Sequence, residues 1–325
     1  MLLCKRILKL TGGLTWWLSD TANVTLLQIF RCLEIVGYTS GWALRKGNTL
    51  EQGDEHTTGI GGRRAVQGPE TEAMTTALAL APQYTLDVSF GVSMKTLRCL
   101  NKIIELANVK ASLSYGDLWP PSSIEELVKL ETELFDILDD PDAFNGQQNG
   151  DSGIQKGISN YVSEEIKENH VWAFHYSTAI FFRRALCNGD ATVKSLTCSM
   201  TDQTTDTWAS RPSGQALVSK ALEYLENVDA LSSDIAIANT LWPGFIAAVE
   251  AVDMPLRHRA LIWFARAKRH GIGNITKAKD LVMEVWRRVD RQTWVSPDRK
   301  NLQSELSHVD WREVMREKGM YIMLT

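Results

Sequence analysis

Apolar positions along the chain recur at spacings of three and four, and no stretch alternates convincingly with period two. Such spacing gathers side chains on one face of a helix. The pattern therefore predicts an all-α fold of stacked helical hairpins. Its clearest region, Ser232 to Asp290, predicts three consecutive helices. In the first, Ser232 or Ser233 offers an N-cap hydroxyl. Ile235, Ala236, Ala238, Leu241, Trp242, Phe245, Ile246 and Val249 then surround most of the circumference, as in a helix inside a bundle. Pro243 removes a backbone donor and should bend the axis. Asp253, just before Pro255, marks the break.

The second helix spans about Leu256 to His270, with Leu256, Ala260, Trp263, Phe264 and Ala267 on one face. Arg266, Lys268, Arg269 and His270 crowd its last turn, where cations suit the helix dipole. Gly271 is the expected left-handed cap. Asn274 caps the third helix, with Ile275, Ala278, Leu281, Val282, Val285, Trp286 and Val289 as its stripe.

Five further helices are predicted elsewhere. One covers Asn23–Val36; another, capped by Ser93, lies in Leu86–Lys110. After the break at Trp119-Pro120-Pro121, Ser123 and Glu126 form a capping box for a helix to about Asp139. Glu164 to Cys187 reads as one long helix, aromatic over most of its circumference and so central. The last runs from about Ser213 to Val228. Residues 45–70 and 140–156 are glycine-rich, polar and without period, which predicts surface loops; residues 188–212 are a Ser/Thr-rich connection. All of 1–325 is read as one large domain.

Composition narrows the function classes. A net charge of -4 argues against an autonomous nucleic-acid binder, which carries a basic face. Cys4, Cys32, Cys99, Cys187 and Cys198 are scattered and form no C-x-x-C pair, which excludes a structural zinc cluster and favours reduced thiols. Cys187 facing Cys198 across a loop is the lesser alternative to buried thiols. No apolar run approaches the roughly 20 residues that span a bilayer, and the first ten residues carry charges within their apolar run, unlike a secretory signal.

Chemical motifs are sparse. Gly271-Ile272-Gly273 follows no strand, so it reads as a cap and turn and not as a phosphate cradle. His170 and His175 miss the spacing of a helical metal pair. Asp136, Asp139, Asp140 and Asp142 read as a solvated helix end rather than a calcium loop. His175 and Tyr176 are an acid–base pair in principle, but their periodicity places them among core aromatics. Arg257, His258, Arg259, Arg266, Lys268 and Arg269 form a basic cluster, read as a solvated helix face. No catalytic residue, metal ligand or cofactor is assigned. A pocket wall is expected from Trp172, His175, Tyr176 and Phe182 on the long aromatic helix, together with Trp242 and Phe245 at the kink.

Several motifs occur together in a characteristic order: Leu241-Trp242-Pro243, Glu250–Asp253, Gly271–Asn274, Val285–Arg288 and Asp310–Arg312. Phe30–Glu34, Gly91 with Ser93, and Ile103–Ala107 add to them. In this combination the chain resembles the C-terminal regulatory domain of fungal zinc-cluster transcription factors, in the subgroup of arginine-metabolism and sterol-responsive regulators. The resemblance implies a nuclear effector domain that controls RNA polymerase II transcription of a metabolic or secondary-metabolite pathway. It also implies a domain that is incomplete at its N-terminus, with DNA bound only through a zinc-cluster module absent from these residues. The expected partners are a small apolar ligand, the transcriptional machinery or co-regulators, and a second copy of the chain in a homodimer. The alternative reading is a stand-alone ligand-binding protein or a recruited, cyclase-like enzyme acting on an apolar biosynthetic intermediate.

Overall fold

Among the described residues all regular structure is helical. The structure is a computed structural model, and it describes residues 21–40, 91–113, 118–140, 142–144, 158–187, 211–232, 241–270, 273–295, 309–320, 322 and 324. The chain divides into two units, Met1–Leu86 and Asp87–Thr325.

In the first unit, α1 covers Thr21–Thr39, longer at both ends than its apolar stripe predicts. Glu34 is fully buried on this helix. Arg31 Nη1 donates to its Oε2 at 2.7 Å and Tyr38 O–H to its Oε1 at 2.7 Å. These partners lie three and four residues away, the spacing that brings helical side chains together. The Phe30–Glu34 motif thus carries its own counter-ion for a carboxylate that would be costly to bury alone.

The second unit begins with α2, Met94–Ser112, where the Ser93 side chain accepts from Thr96 N as an N-cap. Gly91, just ahead, has φ +59, and a Cβ there would stand 2.3 Å from the Cβ of His170. Both the left-handed backbone and the close approach call for glycine.

The next helix, α3, covers Pro121–Asp136 and is followed by a 3₁₀ turn, Ile137–Asp139. The capping box predicted at Ser123–Glu126 does not form. Pro120 is the N-cap residue and Pro121 already lies in the first turn. Proline has no N–H to cap and its fixed φ suits that position, so the helix opens upstream of Ser123.

The long helix α4 spans Ile158–Phe182 and passes into a π turn at Arg183–Cys187. It starts earlier than predicted, with Ile158, Tyr161 and Val162 carrying the helical apolar spacing of Ile166 upstream of Glu164. Ser213 caps α5, Gly214–Leu231. Ser232, predicted to open the next helix, instead closes this one: its N–H donates to Val228 O at 3.0 Å. The remaining helices are α6, Leu241–Val249; α7, Met254–Ala267, with a 3₁₀ turn at Lys268–His270; α8, Ile275–Val295; and α9, Trp311–Glu317. Ser233–Thr240, Gly271, Ile272 and the predicted loop 45–70 lie outside the described residues, as does loop 140–156 apart from 140 and 142–144.

Neighbours in sequence pack together: α2 on α3, α4 along α5, α7 on α8 and α8 on α9. The α4–α5 contact is the most extensive, and α6 touches α4, α5, α7 and α8. Every residue of α6 is buried, as its all-round apolar sequence requires. Each large side chain in it contributes roughly 1.5–3 kcal/mol by leaving water.

Candidate functional site

The aromatic helix α4 carries most of the predicted site, and its residues face two ways. His175 is fully buried. Its Nε2 lies 2.9 Å from Leu134 O and its Nδ1 3.0 Å from Thr96 Oγ1. A carbonyl only accepts, so Nε2 carries the proton and Nδ1 accepts from the Thr96 hydroxyl. Ser93 Oγ, 2.9 Å from Thr96 Oγ1, then donates to it. A single neutral imidazole thus joins α2, α3 and α4. Burial drives its pKa down to about 4, with the Lys95 charge assisting and the bond to Leu134 opposing.

Trp172 and Tyr176, one turn apart, turn toward α5. Tyr224 on α5 stacks near both rings, at centroid distances of 5.9 Å and 5.5 Å with interplanar angles of 16° and 27°. Beside these rings is a cleft of about 490 Å³, whose aromatic wall is Trp172, Tyr176 and Tyr224. Its rim carries Asp139 from the turn after α3, with Glu165 and Glu168 from α4, and Leu138 and Asn169 complete the lining. Phe144 packs edge-on against Trp172 and His175. Asn169 is held in place, its amide donating to Glu165 O while its carbonyl oxygen accepts from Asn227.

The other three predicted wall residues do not reach this cleft. Phe182 packs edge-on to Phe135, Trp242 stacks on Phe174, and Phe245 meets Trp311 edge-on. All three are core. Tyr224 and Asp139 escaped sequence reasoning because they come from other elements, and Glu168, one turn before Trp172 on α4, because it is a charged residue beside an apolar stripe. Each looks like an ordinary solvated position on its own.

Four of the signature motifs, Leu241–Pro243, Glu250–Asp253, Val285–Arg288 and Asp310–Arg312, meet at a second place. Trp242 and Phe245 of α6 meet α4 and α9, and Trp286 Nε1 donates to Ala248 O at 3.0 Å. Arg257 lies 5.2 Å over the Trp286 ring, donates to Ala251 O, and grips both oxygens of Asp290 at 2.9 Å. Asp310 caps α9 through Arg312 N and also holds the Arg312 guanidinium. Those contacts, helped by the Arg184 charge, outweigh burial and keep its carboxyl below the usual range. Arg184 reaches both Val309 O and Glu250. Burial nevertheless raises Glu250. The motifs are therefore the joints of a folding hub.

The basic cluster is engaged within the fold. Arg257 is buried, Arg259 pairs with Glu226, and Arg266 and Arg269 share Asp229. His258, Arg266, Lys268 and Arg269 are exposed, as a solvated helix face requires, and the ion pairs to α5 lie along that face. Among the described residues, none is grouped with two more His, Cys, Asp or Glu in a way that would hold a metal ion, and no helix is long and apolar enough to cross a membrane.

Near the first site, Phe135 sits between the Arg183 and Arg211 guanidiniums at 5.4 Å and 5.2 Å. Glu131 is buried beside them. Burial pushes its pKa up to about 7 against the pull of Arg211 and Arg183. A raised carboxyl pKa adds stability below the unfolded value of about 4.5 that is lost as pH rises through about 7. Glu131→Gln should therefore be more stable than wild type at pH 8, by about 1 kcal/mol after allowance for solvent screening. The advantage should vanish by pH 4.5. Urea titrations at the two pH values test this, and a pH-independent difference would refute it.

Among the described residues, packed helices with an open aromatic cleft define an all-α domain. The particular family follows from sequence comparison: the model of the fungal specific transcription factor domain matches residues 1–325. The chain belongs to that family, and its role is regulatory, in transcription. No curated protein and no solved structure matches it.

Proposed function

We propose that this chain is a ligand-responsive effector domain of a fungal zinc-cluster-type regulator. It acts in the nucleus on RNA polymerase II transcription of a metabolic or secondary-metabolite pathway, through co-regulators or the transcriptional machinery. The observation that carries the ligand-responsive part is the α4–α5 cleft. There the aromatic spine reaches solvent through the half-buried Tyr176 and Tyr224. A cleft of this size falls in the range of small-molecule sites. Catalysis by the His175–Tyr176 pair is disfavoured, because both nitrogens of His175 are committed to Thr96 and Leu134.

Tethering tests the regulatory part. The full chain is fused to a heterologous DNA-binding module upstream of a reporter in a fungal host. Reporter output should change several-fold relative to the module alone, and Tyr224→Leu should alter the response to growth conditions at unchanged protein level. Output equal to that of the bare module would sink the effector reading.

A further inference from the structure

We propose that the cleft between α4 and α5 binds a small organic ammonium cation with an apolar body. The inference rests on reading this cleft as a ligand site, and it replaces the purely apolar ligand expected from the aromatic sequence.

Two independent features support a cation. The first is the wall: Trp172, Tyr176 and Tyr224 set three aromatic rings within 6.0 Å of one another at tilts of 16° to 42°. Ring faces of this kind attract quaternary and protonated ammonium groups through the ring quadrupole. The second is the rim. Asp139, Glu165 and Glu168 bring three carboxylates to one cleft, and none of them forms an ion pair among the described residues. The nearby cations are already engaged: Lys167 pairs with Glu164, Lys220 with Glu223, and Arg211 with Asp136. Asp139 and Glu168 are exposed and solvated, so the rim favours a cation by attraction and repels an anion. A cation meets both wall and rim.

The cleft also sets limits on the ligand. Its volume of about 490 Å³ accommodates a compact molecule. Burial, with Tyr224, Glu223 and Asp139 beside it, raises the Tyr176 phenol to about 12.

The test uses the full chain with choline and its uncharged isostere 3,3-dimethylbutan-1-ol, both followed by ligand-detected NMR titration. Choline should bind at least roughly tenfold more tightly than the isostere, within the span of measured cation–π energies. Tyr224→Leu, which keeps apolar bulk and removes the ring, should weaken choline about tenfold and leave the isostere unchanged. Glu168→Gln should weaken choline about threefold and flatten its dependence on salt.

Equal affinity for choline and the isostere would overturn the cation assignment while leaving the cleft as an apolar ligand site. Choline binding indifferent to Tyr224→Leu, or no binding of either probe, would overturn it as well. Tighter binding of n-butylammonium than of choline would uphold the cation assignment and make the favoured head group a primary ammonium. The tethered reporter reads the effector function separately, so either proposal can fall without the other.

Discussion

Gly244→Ala is expected to destabilise the second unit by about 3 kcal/mol, the upper part of the range for overpacked cores. Gly244 lies on α6, where a Cβ would stand 2.2 Å from Cη2 of Trp263, with two further ring atoms at 2.4 Å. The obstacle is a rigid indole, buried and packed on Phe264 at 5.0 Å. It cannot swing away as a lysine tip would. Relief requires α6 and α7 to part, and that separation would propagate, since α6 also contacts α4, α5 and α8.

A double-mutant cycle with Trp263→Leu makes the cause specific. The smaller side chain removes the clash, so the double variant should be more stable than the sum of the single effects predicts, by 1 kcal/mol or more. Urea denaturation followed by tryptophan fluorescence supplies the numbers. Additive effects, or a single variant within about 0.5 kcal/mol of wild type, would show that the helices do not meet as closely as described.

Gly244 also shows where sequence reasoning stops. The apolar circumference of α6 was legible from Leu241 to Val249, and so was its interior position. The reason for a glycine inside an apolar helix was not, because it lies on another helix. The same boundary divides the candidate site. Trp172 and Tyr176 could be read as a wall from their own helix, since spacing places them together. Their partner Tyr224 lies on α5, and the rim residue Asp139 follows α3; periodicity within one segment cannot bring them to the same cleft. Conversely, Phe182, Trp242 and Phe245 were expected at the wall because they are aromatic and near it in pattern. They serve the core instead, where large rings bury the most area. Caps followed the same division. Ser93 was legible because capping is local, whereas Ser123 lost its role to the preceding prolines.

Replacing His175 is the second large effect expected. His175→Leu should cost about 3 kcal/mol: the apolar volume remains, but Leu134 O loses the imidazole N–H and the Thr96 hydroxyl keeps only Ser93, at roughly 1–3 kcal/mol for each bond lost inside the core. His175→Gln retains an amide donor and an acceptor and should recover part of that loss.

The decisive readout is pH, because only an ionisable group moves it. The folded pKa of about 4 lies below the ordinary 6.5. His175 therefore contributes stability that is present above pH 6.5 and lost as pH falls toward 4, by up to about 3 kcal/mol at 1.36 kcal/mol per unit. Glu131, displaced upward to about 7, works in the opposite sense and masks the slope between pH 4.5 and 6.5. The comparison is therefore made in the Glu131→Gln background. There, stability should fall as pH drops from 7 to 4, and adding His175→Gln should remove about 3 kcal/mol of that fall. Other buried carboxyls such as Glu250 are common to both variants and cancel in the difference. If the added substitution leaves the pH slope unchanged, His175 is not the neutral bridge between α2, α3 and α4 that its two hydrogen bonds describe.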